Sequence, residues 1–444
     1  MKILVFAHQL EVGGTQVNAI ELTAALRDFH GHEVAMFATP GPMVELVRQK
    51  GLRYLPAPET RIHPSPARMR ALRDAVRRER PDIIHVWDWW QCLDAYYAVH
   101  LPMRMPIIVT DMCPGIARLL PTALPTTFGI PELVDQARAS GRRRVELLLP
   151  PVDVQSNAPG VVDPRPFRER YAVDDRDVLL ITVSRFAESL KGESLRRTID
   201  AVRTLGRDLS LKLLLVGDGM LRPELQQLAD AANAELGRAA VALTGVLLDP
   251  RPAYAAADLV VGMGGSALRA MAFGKPVVVV GEHGFSVPFN PQTAESLYYK
   301  GFGGVGDGRP GNTPLINDIK GLAENPHLLR GLGEFSREFV VKNFSLEAGS
   351  TRLSELCQAA ASEPVNVRVA AADGIRTMGV WLRERRFRPE QRAFVPDVEA
   401  RSTRPEGTPE SFQGLPHHRT LTSTGDCLDV PRKPRQSGVS RGTA

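Results

Sequence analysis

The sequence predicts an α/β protein built from two doubly wound domains in tandem and followed by a disordered tail. Short apolar runs alternate with helix-length amphipathic stretches almost from end to end, the pattern of parallel strands covered by helices on both faces. The alternation breaks once, at the aperiodic, proline-rich segment VDVQSNAPGVVDPRP. A chain of 444 residues is also too long for one hydrophobic core.

In the first half, strands are predicted at 3–7, 33–38, 82–87 and 106–110, with helices at 16–29, 42–50 and 67–78. After the break, strands at 178–183, 212–216, 240–244, 259–262 and 276–280 alternate with helices at 193–205, 222–234 and 267–273. The expected division is a first domain over 1–155, a linker over 156–166 and a second domain over 167–362. A helix at 363–388 is expected to cross back to the first domain. Residues 389–444 are rich in Arg, Pro, Ser, Thr and Gly, and bury too little apolar surface to offset the entropy of ordering.

Composition narrows the function. Hydrophobic residues make up 43% of the chain, an ordinary globular value. No run reaches the roughly 18 apolar residues of a membrane span. The opening MKILVFAHQL is too short for a signal-peptide core and reads as a first strand. A cytoplasmic protein is expected. The cysteines Cys92, Cys113, Cys357 and Cys427 are scattered, which suggests neither a disulfide framework nor a zinc site. The net charge of +5 gathers partly at 68–80, 142–144 and 383–388. Such clusters are either solvated helix faces or a peripheral contact with an anionic membrane at its inner face. No aromatic RNA motif or helix-turn-helix accompanies them, so no nucleic-acid partner is expected.

The most informative segment is VSRFAESLKG at 183–192. A strand brings Arg185 to its carboxyl end and Lys191 follows in the loop that opens the next helix, where open parallel sheets hold ligands. Two cations beside a helix N-terminus favour a diphosphate; the alternative is an ordinary strand followed by surface charges. Two further strand-to-helix loops are glycine-rich, Gly217-Asp218-Gly219 and Gly262-Met263-Gly264-Gly265-Ser266. The amides around Gly264, Gly265 and Ser266 suit an anion, and the expectation is that they converge with Arg185 and Lys191 on one diphosphate.

The first strand ends in Gly13-Gly14 ahead of a helix, which allows close backbone approach to a ligand, or simply a tight turn. A dinucleotide fingerprint would need G-x-G-x-x-G in this loop and an acid ending the second strand, but the loop reads Glu11-Val12-Gly13-Gly14-Thr15-Gln16 and the second strand runs into Ala38-Thr39-Pro40-Gly41. His85 ends a strand and is either catalytic or a satisfied structural histidine. Asp175-Arg176-Asp177 has a metal-type spacing but sits in a polar turn, so no metal ligands are assigned.

The second half resembles the family 4 retaining glycosyltransferases of the GT-B fold, two Rossmann-like domains facing a cleft. VSRF…LKG matches their phosphate-binding Arg and Lys, LLLVGDG their next strand, and RAMAFGKPVVV their donor-ribose segment. The Gly13-Gly14 loop and PDIIHVWDWW match weaker N-terminal signatures, and the likeness runs from Met1 to about Arg386. The resemblance implies transfer of a hexosyl group from a nucleotide-diphosphate sugar, as co-substrate, to an unknown acceptor, with retained configuration and no metal or other cofactor. A lipid-linked or cell-envelope acceptor is one candidate. By resemblance, Arg185 and Lys191 stabilise the departing diphosphate, and Gly14 contacts donor or acceptor.

Two positions depart from the family. Most members carry a ribose-binding glutamate where this chain has Arg269, and another glutamate where it has Val261. Arg269 then holds an additional phosphate, points away, or marks lost activity. Where members often have a second histidine, two places after His85, stands Trp87, with Asp88 next. Two other readings remain open on the same architecture: a nucleotide-sugar epimerase, and a catalytically degenerate nucleotide-sugar-binding protein.

Overall fold

Runs of β-branched and leucine residues buried on both faces form the centre of two sheets in the computed structural model, which describes residues 1–60 and 63–387. The first sheet is wholly parallel, in the order β3-β2-β1-β4-β5-β6-β7. Its strands are β1 (Lys2–Phe6), β2 (Glu33–Ala38), β3 (Arg53–Pro56), β4 (Ile83–Trp87), β5 (Ile107–Asp111), β6 (Thr126–Phe128) and β7 (Val145–Leu147). The second sheet has the order β10-β9-β8-β11-β12-β13. It contains β8 (Val178–Val183), β9 (Leu211–Val216), β10 (Val241–Gly245), β11 (Leu259–Gly262), β12 (Val277–Val280) and β13 (Ser286–Pro288). Only the edge pair β12 and β13 is antiparallel.

Every strand expected from the sequence is present within a residue or two, and both domains are doubly wound. The short strands β3, β6, β7 and β13 were not expected. At three or four residues each they carry too little periodicity to stand out.

Each sheet reverses its strand order beside its first strand: β1 lies between β2 and β4, and β8 lies between β9 and β11. The crevice at the carboxyl ends there is the place where such sheets take ligands. The two domains touch where Tyr299 donates to Asp135 (3.0 Å). The segments that pass between domains are bonded to each other. Val152 N–H donates to the Phe344 carbonyl (2.7 Å), and Leu346 N–H donates back to Val152 (3.0 Å).

Two C-terminal helices return to the first sheet. Leu353, Cys357 and Ala360 of the helix Leu346–Ser362 lie in one core with Ile3, Val5, Ile20 and Leu22. The helix Val367–Phe387 is pinned by the Tyr96 hydroxyl on the Ala370 carbonyl, Thr122 on Asp373, and the Trp381 indole on the His63 carbonyl (2.7–2.9 Å). The tail expected at 389–444 lies outside the described residues.

Candidate active site

Strand β8 delivers Arg185 just beyond its carboxyl end, and the loop that follows turns back through Leu190, held at a φ of 65°. A non-glycine residue in that region stores strain, which the surrounding structure must enforce. Its effect is to set Lys191 immediately before the helix Glu193–Leu205. Lys191 is half-buried, and its pKa falls to about 8, first through burial and then through repulsion by Arg185; Glu282 opposes this weakly. Desolvation by the surrounding protein also lowers the pKa of Arg185, although the residue as a whole is exposed. No carboxylate lies within ion-pairing distance of either cation among the described residues. Nearby Arg196, by contrast, is held by Glu188 and Glu224 at 2.6 Å each. An exposed arginine and a half-buried lysine that repel one another, with no carboxylate in ion-pairing reach, form a site that lacks negative charge.

Because β11 pairs with β8, the Gly264 loop opens beside the Arg185 loop. Gly264 has φ 52° and ψ −131°, a conformation open to glycine and little else, and nothing stands within 4 Å of where its side chain would be. It caps the helix Gly265–Ala272, whose first amides have no acceptor within the helix. The Gly264 N–H is already given to Phe302 (2.7 Å), and the Ser266 hydroxyl donates to the Met263 carbonyl (2.9 Å), so both hold the loop's own shape.

The Gly217 loop has a tighter explanation. A Cβ on Gly217 would lie 1.8 Å from the Ser184 carbonyl oxygen, and one on Gly219 2.6 Å from that of Phe186. Both glycines let the loops after β8 and β9 pack against each other. Asp218 is used locally, accepting from Gly219 N–H and from Arg222. Val261 sits on β11 in the core, fully buried. Arg269, on the helix Gly265–Ala272, folds back until its Nη1 is 3.5 Å from the Cβ position of Gly265.

In the first domain, Gly13 caps the helix Gly14–Asp28, and the space above Gly14 is open. His85 points into the sheet instead. It is 1% exposed, bonded through Nε2 to the Thr110 hydroxyl (2.7 Å), and burial lowers its pKa to about 3. It is a neutral core histidine that presents no surface to a ligand.

A polar cluster that the sequence did not reveal lies at the carboxyl ends of β1, β4 and β5. His8 Nε2 contacts Asp88, whose other oxygen accepts from Met112 N–H (3.0 Å). Asp88 adopts φ 56°, and its ligand-type oxygen, one from Asp111 and the Cys113 sulfur lie within 4.8 Å of one another. Burial first, and then Asp88, raises the pKa of Asp111 well above the usual carboxylate range. His8 Nδ1, Asp111 Oδ2 and Gln91 Oε1 are buried without a partner. Asp88, Asp111 and Cys113 are the group that could hold a cation among the described residues.

The basic clusters divide. Arg68 and Arg142 turn inward, Arg142 to the carbonyls of Pro121 and Leu120 (2.9 and 2.6 Å) and Arg68 to Thr39 (3.1 Å) and Asp94. Arg70, Arg77, Arg78 and Arg80 stay exposed. Asp177 accepts from Ser210 (2.7 Å) and from Asp174 N–H (3.0 Å) within its surface turn.

Two family profiles match the chain: Glycosyltransferase Family 4 over residues 12–111, and Glycosyl transferases group 1 over residues 177–290. No curated protein matches it in sequence. Among solved structures, a glycosyltransferase from Rickettsia africae is 15% identical, with a TM-score of 0.66 over 82% of this chain and 99% of that one. Anabaena Alr3699/HepE, solved with UDP-glucose, is 16% identical, with a TM-score of 0.63 over 81% of this chain and all of that one. WaaG, a glycosyltransferase involved in lipopolysaccharide biosynthesis, is 14% identical, with a TM-score of 0.56 over 80% and 99%. At these identities the likeness is one of fold, and the fold shared is GT-B.

Proposed function

The chain belongs to the family 4 glycosyltransferases of the GT-B fold, and from that premise we propose that it moves a hexosyl group from a nucleotide-diphosphate sugar to a hydroxyl acceptor with retention of configuration. The observation that carries this is the pair Arg185 and Lys191, two cations with no carboxylate in ion-pairing reach, in the loop after β8, the strand that neighbours β11 and its Gly264 loop. As the bond from the anomeric carbon to the diphosphate breaks, negative charge grows on the phosphate oxygens. Arg185, Lys191 and the helix amides meet that charge in a site already arranged for it. The acceptor hydroxyl attacks the anomeric carbon as its bond to the diphosphate oxygen breaks, and the hydroxyl proton passes to that departing oxygen.

On this reading the leaving charge is met by protein groups and needs no metal. The neighbour Alr3699/HepE was solved with UDP and with UDP-glucose, which makes a uridine donor the first to try. The exposed arginines 70, 77, 78 and 80 suit peripheral contact with anionic lipid, and hence a lipid-linked acceptor. No described helix is long and apolar enough to cross a membrane.

The test is a melting screen against UDP, GDP, ADP and their sugars, followed by turnover with the donor that shifts the melt. Arg185→Ala should lower kcat by about 10²–10³-fold, the cost of losing one preorganised donor. Near-normal turnover in Arg185→Ala and in Lys191→Ala refutes the assignment. A second reading, a nucleotide-sugar binder without transfer, is favoured by Arg269 alone, and a donor that binds but is never consumed would select it.

A further inference from the structure

At the carboxyl ends of β1, β4 and β5, four side chains of metal-ligand type from three separate stretches of chain meet: His8, Asp88, Asp111 and Cys113. One oxygen of each carboxylate is fixed by a backbone amide. Asp88 Oδ1 accepts from Met112 N–H and Asp111 Oδ1 from Cys113 N–H, each at 3.0 Å. The second oxygens differ: Asp88 Oδ2 meets His8 Nε2, whereas Asp111 Oδ2 is sealed from water without a partner. His8 Nδ1 is likewise unpartnered. His8, Asp88 and Asp111 are only 2%, 5% and 0% exposed, so water cannot make good the deficit. Cys113, which is partly exposed, gives the cluster a route to solvent.

Buried acceptor atoms without a partner are costly, and the chemistry around them says what would satisfy them. No lysine or arginine pairs with Asp88 or Asp111 among the described residues. Arg142, whose charge reaches Asp111, gives its N–H groups instead to the carbonyls of Leu120 and Pro121 (2.6 and 2.9 Å). Two carboxylates repel an anion, an apolar group would leave Asp111 Oδ2 unpaired, and an organic ammonium would find a poor acceptor in the sulfur. A metal cation fits, and the sulfur narrows which one. Magnesium and calcium take oxygen shells, whereas a thiolate beside carboxylates and an imidazole suits a borderline ion of the zinc class. The donor atoms of Asp88, Asp111 and Cys113 already lie within 4.8 Å of one another. A tetrahedral zinc needs them about 3.6 Å apart, from bonds of about 2.1 Å to oxygen and about 2.3 Å to sulfur. The amides on Asp88 and Asp111 and the His8 contact are the outer partners with which such a centre holds its ligands in place.

We propose that Asp88, Asp111 and Cys113 form a binding site for a divalent ion of the zinc class, with His8 bracing Asp88 and the fourth coordination position left to water. On binding, the Cys113 thiol gives its proton to solvent and ligates as the thiolate. The ion ties the chain at the ends of β4 and β5 together and, through His8, the segment after β1. The site belongs to the first domain, whereas Arg185, Lys191 and the Gly264 loop belong to the second. It therefore stands whether or not the nucleotide-sugar reading holds.

The experiment takes the full chain, strips it of metal with a chelator and titrates it with Co²⁺ or Zn²⁺ alone. Co²⁺ should bring up the near-ultraviolet charge-transfer absorption of a thiolate–cobalt bond, saturating at one ion per chain. Zn²⁺ should abolish that band by displacement, and millimolar Mg²⁺ should not. Cys113→Ser should never show the band. Asp111→Asn should weaken Zn²⁺ binding by at least about 100-fold, and His8→Asn, which removes an outer partner, by about 10–100-fold with the band retained. Cys427→Ser, the control for a thiol outside the described residues, should behave as wild type. If Cys113→Ser fails to fold, Asp111→Asn decides. The inference is overturned by wild type that shows no band, by a full band in folded Cys113→Ser, or by wild-type Zn²⁺ affinity in folded Asp111→Asn.

Discussion

Lys191→Met should make the protein more stable and useless for binding. The ammonium has a pKa of about 8 in the folded chain against an ordinary 10.5, because folding removes it from water and sets it beside Arg185. At about 1.36 kcal/mol for each pH unit, the folded state carries roughly 3 kcal/mol of penalty for a charged Lys191. Water reaching the cleft makes this an upper bound. The sign follows from proton counting. Between about pH 8 and 10.5 the unfolded chain keeps the proton that the folded chain gives up, so wild-type stability rises with pH across that window. Below pH 8 both states are charged and the full penalty applies. Methionine removes it, so at pH 7 the variant should melt several degrees higher, at about 2–4 °C per kcal/mol for a domain of this size. Urea titrations at pH 7, 8, 9 and 10 check both parts: wild type should gain stability between pH 8 and 10, and the variant should lack that gain. A nucleotide diphosphate at 100 times its dissociation constant should stabilise wild type by about 2.7 kcal/mol and leave the variant unmoved. A variant less stable than wild type at pH 7, with a parallel pH profile, would refute the claim that Lys191 is a strained cation awaiting an anion.

Gly217→Ala should destabilise by about 3 kcal/mol or more in urea, because its Cβ would press on the Ser184 backbone, which cannot swing aside. Gly14→Ala, with nothing within 4 Å, should fold normally and lose ligand affinity instead. His85→Gln should cost about 1–2 kcal/mol of stability through its bond to Thr110 and leave kcat within a few fold; a collapse of kcat without loss of stability would return His85 to the site. In the metal-free chain, Asp111→Asn should raise the melting temperature at pH 8 and change little at pH 4. The folded chain holds the Asp111 proton above the pH at which the unfolded chain releases it, so wild type loses stability as pH rises through that interval.

Much of this was legible in the chain before folding was considered. Short continuous runs rich in β-branched residues, such as VLLITV and VVVV, read as strands buried on both faces, and the loop after the first of them carried the Arg185 and Lys191 signal intact. Glycine was the ambiguous letter. A Gly-Asp-Gly after a strand looks the same whether a ligand or a neighbouring loop needs the room, and at Gly217 the neighbour is the Ser184 carbonyl. The His8, Asp88, Asp111 and Cys113 cluster was hidden for another reason. Its members lie far apart in the chain and meet only because β1, β4 and β5 are adjacent. A hint was available, since each of the four stands at or just past the end of a strand.

The return of the last two helices to the first sheet also governs how the molecule is born. On the ribosome, residues 1–150 emerge early, yet the apolar flank of the helix Gly14–Asp28 and the ledge around Tyr96 stay bare until Leu353 and Ala370 have been translated. At 5–20 residues per second that interval is on the order of 10–45 s. The nascent chain must spend it with a half-finished first lobe exposed to chaperones, and a message cut short near codon 345 would release two sheets and no complete enzyme.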